Sequence, residues 1–360
     1  MYDDIVRGKV VLTKTDKDTG NVLANAEFEL RDEEGNVIET LVTDKDGKAE
    51  SKEIFFGNYA ENGKYEGSKK YTLVETKAPA GYVLDSTEIP VEFTYENDTT
   101  PVVVTEISNK NTPIKVSVSK TSITTGKPVI GATLKITDEN GKEIDKWVTD
   151  GKEHILSAIP TGKYTLVEER ASDGYIVANS IDFEVMETGE IQTVVMQDEE
   201  VKGHVIIHKT DKESGKPLAN AVFEIRDEDG KVVDTLTTDE NGNATSKDIA
   251  FGIYDEAGLY KGSHKYTIVE VKAPEGYKLD GTVTEFEFEY KDDTTPVVVK
   301  ELSFTNEKTV TTTPPTIVKT PTPKTSTPKT GDSVNVMMIL LIALAVIGVF
   351  ISALLKGRTN

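Results

Sequence analysis

The chain of 360 residues has no cysteine, a single tryptophan and four histidines. Without cysteine there can be no disulfide, thiolate metal site or cysteine nucleophile, so any covalent staple must use other side chains. The histidines are not spaced as metal ligands, and we predict neither a metal nor a cofactor. Basic residues are outnumbered as well, because the formal net charge is −21. Such a surface would repel phosphates, which excludes nucleic acid as a partner.

Helical periodicity is also missing from most of the chain. Short runs rich in valine, isoleucine, threonine and tyrosine alternate with turn sequences such as Asn140-Gly141 and Asn241-Gly242. At most a single helical turn is expected, around residues 58–67 and in the copy of that segment near residues 255–262. The pattern predicts an all-β protein made of Ig-like β-sandwich domains.

The chain is internally repeated. Residues 8–110 align without gaps on residues 203–305, and residues 113–200 form a shorter, divergent copy between them. Self-similarity of this kind indicates tandem domains. The three predicted domains are residues 8–112, 113–200 and 201–308.

The ends of the chain differ in composition from the repeats. Residues 309–326 are rich in threonine, proline and lysine and would form a disordered, extended spacer. Residues 334–355 contain an apolar run of the length that spans a bilayer as one transmembrane helix, and the basic residues 356–360 would stay in the cytoplasm. Residues 1–7 contain no secretory signal peptide, so we expect them to be the N-terminal stub of a longer exported chain or the result of a misplaced gene start.

Polar side chains fall on the apolar faces of the predicted strands. Because side chains alternate along a strand, Lys14 shares a face with Val10 and Leu12, and Glu75 shares one with Leu73. Buried charges without partners are costly, which indicates a chemical reason for these groups. The same parity in each repeat gives three inward trios: Lys14, Glu75 and Asn111; Lys120, Glu168 and Asp198; Lys209, Glu270 and Asn306.

Two alternatives remain open at this stage. Asn109 has the same parity as Asn111, and only the alignment with Asn306 favours Asn111. The ordinary alternative for each trio is a lysine that extends to solvent and a glutamate that forms a salt bridge with it.

Motifs within the repeats show a family resemblance. The first copy has Lys14-Thr-Asp16, then Tyr71-Thr-Leu-Val-Glu75, then Ala78-Pro-Ala-Gly-Tyr82. The third copy repeats the last two motifs at Tyr266 to Glu270 and at Ala273 to Tyr277. These residues resemble the CnaB-type, or SpaA-type prealbumin-like, domains of Gram-positive pilins and adhesins.

The resemblance implies an intramolecular isopeptide bond in each domain. The lysine amine would join the closing side chain, giving the crosslinks Lys14 to Asn111, Lys120 to Asp198 and Lys209 to Asn306. Ammonia would leave from the asparagines and water from the aspartate. The resemblance also implies a catalytic proton shuttle in each domain, namely Glu75, Glu168 and Glu270. An apolar pocket disfavours charge, so it would supply a neutral amine and a neutral acid.

A short motif precedes the apolar run. Thr327, Pro328, Lys329, Thr330 and Gly331, followed by the apolar run and the basic tail, resemble a Gram-positive cell-wall sorting signal of the LPxTG type. The resemblance implies a sortase that cleaves after Thr330 and transfers the chain to an amine of the peptidoglycan cross-bridge or of a pilin. Thr327 replaces the usual leucine, which leaves the sortase class open.

These features together predict a structural surface protein without enzymatic turnover, covalently attached to the cell wall as an adhesin stalk or minor pilin. One alternative is a polymerising pilus subunit, although the sequence shows no pilin-motif lysine. Another is a set of carbohydrate-binding modules in a wall-anchored enzyme, but each domain offers a single inward glutamate, paired with lysine. A host or matrix ligand would bind through a region N-terminal to this sequence or through loops that carry no recognisable motif.

Overall fold

A computed structural model describes residues 6–97, 99–100 and 102–310. All regular elements in these residues are β-strands, so the predicted all-β class is confirmed for this part of the chain. The strands lie in one compact unit, Met1–Thr309, whose described residues include no helix long and apolar enough to cross a membrane. Several predicted segments lie outside the described residues: the spacer from residue 311 onward, the motif at 327–331, the apolar run at 334–355 and the tail at 356–360.

The first sandwich consists of two four-stranded sheets and a hairpin. Its strands are β1 (Arg7–Asp16), β2 (Glu27–Arg31), β3 (Val37–Val42), β4 (Lys48–Glu50), β5 (Ile54–Phe55), β6 (Gly57–Tyr59), β7 (Tyr65–Ser68), β8 (Tyr71–Lys77), β9 (Ile89–Val91) and β10 (Val102–Asn111). In one sheet β1 pairs in parallel with β10 and antiparallel with β4 and β5. The facing sheet has the order β3-β2-β8-β9.

The second sandwich also has two four-stranded sheets, and it has no separate hairpin among its described strands. Its strands are β11 (Lys115–Ser122), β12 (Ile130–Asp138), β13 (Glu143–Asp150), β14 (His154–Ser157), β15 (Gly162–Arg170), β16 (Tyr175–Ile176), β17 (Ile181–Val185) and β18 (Gln192–Glu200). The sheets have the orders β14-β11-β18-β16 and β13-β12-β15-β17, and β11 pairs in parallel with β18.

The third sandwich repeats the pairing of the first. Its strands are β19 (Lys202–Asp211), β20 (Val222–Arg226), β21 (Val232–Thr237), β22 (Asn243–Thr245), β23 (Ile249–Ala250), β24 (Gly252–Tyr254), β25 (Tyr260–Ser263), β26 (Lys265–Lys272), β27 (Thr284–Glu287) and β28 (Val297–Asn306). The central strand β19 pairs in parallel with β28, and the facing sheet has the order β21-β20-β26-β27.

The alternation of β1 carries a lysine into the core. Val10, Leu12 and Lys14 are fully buried, whereas the residues between them are partly exposed. Burial of each aliphatic side chain contributes about 1.5–3 kcal/mol, which fixes the face that the strand turns inward. Lys14 follows because it has the same parity. The strands β11 and β19 place their lysines inside in the same way.

The hairpins β6–β7 and β24–β25 lie where the sequence allowed at most one helical turn, and these segments form paired strands. In the first sandwich Gly57–Tyr59 pairs with Tyr65–Ser68. The chain reverses at Gly63, whose φ of +77° is accessible to glycine without strain. Aromatic residues that flank such a turn favour paired strands over a helix.

Candidate crosslinking sites

All nine side chains of the predicted trios are buried, and none is more than 4% exposed. Strand parity therefore predicted their direction correctly. It did not predict the register. In each sandwich the closing asparagine or aspartate lies two residues beyond the residue directly opposite the lysine. The pairs that show this are Lys14 with Asn109 and Asp16 with Asn111, Lys120 with Met196 and Ser122 with Asp198, and Lys209 with Phe304 and Asp211 with Asn306.

In the first sandwich the glutamate lies between the other two members of the trio. Lys14 Nζ is 3.0 Å from Glu75 Oε1. Asn111 Nδ2 donates to Glu75 Oε2 at 2.8 Å and to the carbonyl of Val83 at 2.6 Å. The backbone N–H of Asp85 also donates to Glu75 Oε2, at 2.9 Å. One carboxyl oxygen thus faces the amine and the other faces the amide nitrogen.

The third sandwich has the same arrangement. Lys209 Nζ is 3.1 Å from Glu270 Oε1, and Asn306 Nδ2 donates to Glu270 Oε2 at 2.8 Å. Asn306 also donates to the carbonyl of Lys278 at 2.7 Å, and the Asp280 N–H donates to Glu270 Oε2 at 3.0 Å. The agreement between two copies shows that the repeated sequence builds the same site twice.

The second sandwich brings an acid to the lysine instead of an amide. Lys120 Nζ lies 3.0 Å from Glu168 Oε2 and is in direct contact with Asp198 Oδ1. The backbone N–H of Ala178 donates to Glu168 Oε2 at 2.6 Å, in the role that Asp85 has in the first sandwich. Two carboxyl groups and one amine therefore share a single buried site.

Aromatic rings lie next to the lysine amine in two of the sites. Lys14 Nζ lies 5.2 Å from the ring centroid of Phe28, which pairs across the sheet with Glu75. Phe223 has the same place in the third sandwich, 5.3 Å from Lys209 Nζ. A ring face attracts an ammonium group weakly, but it cannot replace the hydration that the amine loses.

Burial changes the acidity of several groups in these sites. It lowers the pKa of the Lys14 and Lys209 amines, although the neighbouring glutamates oppose the shift. Burial raises the pKa of the Asp198 carboxyl to about 7, with Lys120 opposing the shift and Glu168 adding to it. The two amines therefore lose their protons more readily than free lysine, and Asp198 retains a proton more readily than free aspartate.

Several buried atoms in the sites have no hydrogen-bond partner within the described part of the chain. Among them are Asn111 Oδ1 and Asn306 Oδ1. Glu75 Oε1 is close to Lys14 Nζ but lacks the directional geometry of a hydrogen bond. Each such atom costs about 1–3 kcal/mol. The unreacted sites are thus poor as salt bridges, and a reaction that removes their charges would relieve this cost.

The structure brings Asn109 as well as Asn111 to the first site. Lys14 Nζ donates a hydrogen bond to Asn109 Oδ1, and Asn109 is only partly buried. Among the described contacts, Asn111 is the asparagine that bonds to Glu75. The positions equivalent to Asn109 hold Met196 and Phe304.

Sequence reasoning missed a buried aspartate that fixes the neighbouring loop. Tyr82 donates its hydroxyl hydrogen to Asp16 Oδ2 at 2.9 Å, and Asp16 Oδ1 accepts the backbone N–H groups of Asp18 and Thr19. This contact anchors the loop that supplies the Val83 carbonyl to Asn111. The same pair recurs as Tyr277 and Asp211. The available signal was parity, since Asp16 lies two residues after Lys14.

A glycine turn crosses the backbone of each outer lysine. In the first sandwich the Lys14 N–H donates to the carbonyl of Gly47 at 2.8 Å. Gly47 has a φ of +70°, and a Cβ added there would lie 2.7 Å from the Lys14 carbonyl oxygen. Only glycine allows this approach. No group of acids or histidines in the described ranges is placed to hold a metal ion.

Comparison with known proteins identifies the family. The model of the SpaA prealbumin-like fold domain matches residues 8–62, 63–109, 114–200 and 203–303. Over 291 residues the chain is 26% identical to serine-aspartate repeat-containing protein D of Staphylococcus aureus strain Newman, covering 69% of this chain and 20% of that protein. Over 76 residues it is 36% identical to the trypsin-resistant surface T6 protein of Streptococcus pyogenes serotype M6, covering 21% of this chain and 12% of that one.

Among solved structures, the fold is similar to that of the Bacillus anthracis TIE protein. The TM-score is 0.55 at 29% identity, and the match covers 84% of this chain and 51% of that one. The chain spans about a fifth of the length of its staphylococcal relative, at 20% coverage. Because the family model matches most of the sequence, the chain belongs to the SpaA family of prealbumin-like fold domains.

Proposed function

We propose that this chain is a structural component of the Gram-positive cell surface, an adhesin stalk or minor pilin. Each sandwich would be tied by an isopeptide bond between its first and last strands. The observation that carries the proposal is the recurrence of a fully buried trio of lysine, glutamate and asparagine or aspartate in three sandwiches. The streptococcal relative is named as a surface protein, which supports this location.

The proposed reaction begins with a proton transfer. Lys14 gives a proton to Glu75, which replaces a buried ion pair with a neutral amine and a neutral acid. Lys14 Nζ then attacks Asn111 Cγ. The Nζ–Cγ bond forms, the Cγ–Nδ2 bond breaks and ammonia leaves.

Glu75 is placed to act as the proton relay in this reaction. It can take the proton that Nζ loses on attack and give one to Nδ2, since its two oxygens face those two atoms. Glu75 keeps the proton that it first took from the Lys14 ammonium, so it ends the reaction as a neutral acid. In the second sandwich Lys120 would attack Asp198 Cγ in the same way, and water would leave.

The fold accelerates the proposed reaction by holding the reacting groups together. β1 and β10, or their equivalents, hold the reacting groups in one buried site, so the attack becomes an intramolecular step. The products carry no charge into the core. A bond that closes a loop of roughly 100 residues stabilises a domain by about 4–5 kcal/mol in the chain-entropy model.

The mechanical role follows from strand topology. β1 and β10 are parallel neighbours, so tension between the chain entering at β1 and the chain leaving at β10 would shear them. A covalent tie between Lys14 and Asn111 transmits that load without breaking the hydrogen bonds of the sheet. Three ties in series would give a stalk that resists extension without cysteine.

The domain limits and the wall attachment are part of the same proposal. The pairing of the sheets supports domains at residues 8–112, 113–200 and 201–308. A sortase would recognise residues 327–331, cleave after Thr330 and join the chain to an amine of the peptidoglycan cross-bridge or of a pilin.

Force spectroscopy on the purified chain tests the mechanical role. With the ties formed, extension should release none of the residues held between each lysine and its partner. In the Glu75→Ala variant the first sandwich should unfold and add roughly 300 Å of contour length. The same unfolding step in the unmodified chain would contradict the proposal.

A further inference from the structure

A backbone hydrogen bond recurs where each sandwich meets the segment that follows it. A glycine in a Gly-Tyr turn offers its carbonyl, and the first backbone N–H of the next segment donates to it. The three bonds are Ile114 N to Gly81 O at 2.8 Å, Val201 N to Gly174 O at 2.9 Å, and Thr309 N to Gly276 O at 2.8 Å. A joint of this kind fixes one sandwich on the next.

At the second joint the hairpin β24–β25 completes the contact. Tyr254 donates its hydroxyl hydrogen to Gly174 O at 2.5 Å, so two donors converge on one carbonyl. The ring of Tyr175 packs against that of Tyr254 with centroids 4.9 Å apart, and its hydroxyl lies 3.5 Å from the carbonyl oxygen of Gly258. Gly258 is buried in this contact.

The first sandwich carries the same hairpin, β6–β7, with the same aromatic cluster. The ring centroids of Tyr59 and Tyr65 are 5.8 Å apart, and those of Tyr65 and Tyr95 are 5.5 Å apart. The corresponding distances in the third sandwich are 5.9 Å and 5.4 Å. In contrast to its counterpart Tyr254, Tyr59 is 41% exposed, and Gly63 is exposed where Gly258 is buried.

The two donors of the joint are also present in the first sandwich. Val6 is the counterpart of Val201, and its N–H donates to the hydroxyl oxygen of Tyr59 at 3.3 Å. In the third sandwich the equivalent N–H and hydroxyl both donate to Gly174 O. The first sandwich therefore has both donor groups that would bind a backbone carbonyl. In this structure one of them, the Val6 N–H, donates to the other, the Tyr59 hydroxyl.

We propose that Val6, Tyr59, Gly63 and Tyr65 form a docking surface for the Gly-Tyr turn of another SpaA-type sandwich placed ahead of Val6. The glycine carbonyl of that turn would accept hydrogen bonds from Val6 N and Tyr59 Oη, and its tyrosine ring would pack on Tyr59. The contact is more polar than its counterpart. Asn58 and Lys64 stand where the third sandwich has Ile253 and Leu259.

The proposed docking surface is tested by supplying a Gly-Tyr turn from an added sandwich. A chain is made in which a second copy of residues 113–200 is placed directly ahead of Val6, which reproduces the junction at Val201. Amide exchange at Val6 and nitration of Tyr59 by tetranitromethane are compared with the original chain. We expect both rates to fall by roughly tenfold, because the amide and the hydroxyl gain a buried acceptor.

A glycine substitution provides the matched control. A Cβ at Gly174 would lie 2.6 Å from the ring of Tyr260, so Gly174→Ala should separate a joint. In the added copy, the glycine-to-alanine substitution should return the nitration rate of Tyr59 to that of the original chain. In the original copy, Gly174→Ala should raise the nitration rate of Tyr254, which would show that tyrosine nitration detects separation of a joint.

One outcome overturns the proposal. If Val6 exchange and Tyr59 nitration stay unchanged on adding the second copy, while Tyr254 responds to Gly174→Ala, the surface does not take such a turn. Amide exchange of β12, which is present in both copies of residues 113–200, shows whether the added copy has folded. Two folded copies give a single protected population of β12 amides. The result does not depend on whether the isopeptide bonds form.

Discussion

Each buried lysine is costly as an ion and useful as a nucleophile. Lys14 is fully buried, and its amine contacts Glu75 and Asn109, while Glu75 also accepts a hydrogen bond from Asn111. A salt bridge in such a place gains little, because desolvation offsets the attraction. The same desolvation lowers the pKa of the amine, which is what an attack on a carbonyl carbon requires. The site is therefore better suited to react than to persist as an ion pair.

The relay glutamate can be removed with little change in shape. In Glu75→Gln we expect the first bond to be absent, because glutamine cannot accept the proton from Lys14. Denaturant unfolding should then show a first sandwich destabilised by about 4–5 kcal/mol. The control is Glu27→Gln, which breaks a partly exposed ion pair with Lys77 and should change stability by less than about 0.5 kcal/mol. Equal effects of the two substitutions would contradict the proposed role of Glu75.

Substituting each asparagine in turn decides whether Asn109 or Asn111 forms the crosslink with Lys14. Asn111→Ala should abolish the first crosslink, whereas Asn109→Ala should leave it in place, because Asn111 is the amide that bonds to Glu75. Mass spectrometry of proteolytic fragments identifies the peptide joined to Lys14. Loss of the crosslink in Asn109→Ala alone would assign the bond to Asn109.

The sites should respond to pH in opposite directions. Reaction at Asp198 needs its protonated carboxyl, and its pKa is about 7, so the protonated fraction falls as pH rises through that value. Lys14 and Lys209 have lowered pKa values, so their neutral fraction grows as pH rises. On refolding of unreacted, denatured chain between about pH 5 and pH 9, the second bond should form more slowly and the others faster as pH increases. Time-resolved mass measurement of the three crosslinked peptides checks this, and a common pH dependence would contradict it.

At the scale of strands, alternation predicted which side chains point inward, because a period of two is a local property of the sequence. It could not predict that β10 lies beside β1 in parallel, since strand pairing depends on the whole sandwich. That pairing places Asn111 two residues beyond the position opposite Lys14. Asn109 and Asn111 have equal parity, which is why the sequence left both open.

Loops supplied the groups that sequence reasoning missed. The Val83 carbonyl and the Asp85 N–H reach the first site from the loop after β8. Tyr82 anchors this loop on Asp16. Backbone direction in a loop has no periodic signature, so these contacts could not be read from residue spacing. The hairpin β6–β7 was not predicted for a related reason, because its tyrosines pack on each other rather than on an alternating face.

A comparison of substitutions at two glycine turns distinguishes the cost of steric contact from the cost of backbone strain. Gly47 and Gly20 have similar φ values, +70° and +74°, but a Cβ at Gly20 would meet nothing within 4 Å. Gly47→Ala should therefore cost at least about 1 kcal/mol more than Gly20→Ala, since it also forces the turn away from Lys14. Denaturant unfolding in a Glu75→Gln background measures the difference without the covalent tie. Equal costs would show that the turn does not press on the Lys14 backbone.

At the scale of the whole molecule, each sandwich contains its own trio and needs no partner chain for the proposed bond. The absence of cysteine and the net charge of −21 fit an exterior that stays separated in solution while covalent ties hold the interior. Because the three sites lie in different cores, the loss of one bond should leave the other two intact.

The most direct measurement is the intact mass of folded protein comprising residues 1–310. Two bonds from asparagine and one from aspartate should lower the mass by about 52 Da, because ammonia removes about 17 Da each time and water about 18 Da. Glu75→Ala, Glu168→Ala and Glu270→Ala should each restore one of these losses after correction for the substitution. The full unreacted mass in a folded chain would contradict the account, and the trios would then be buried salt bridges without covalent chemistry.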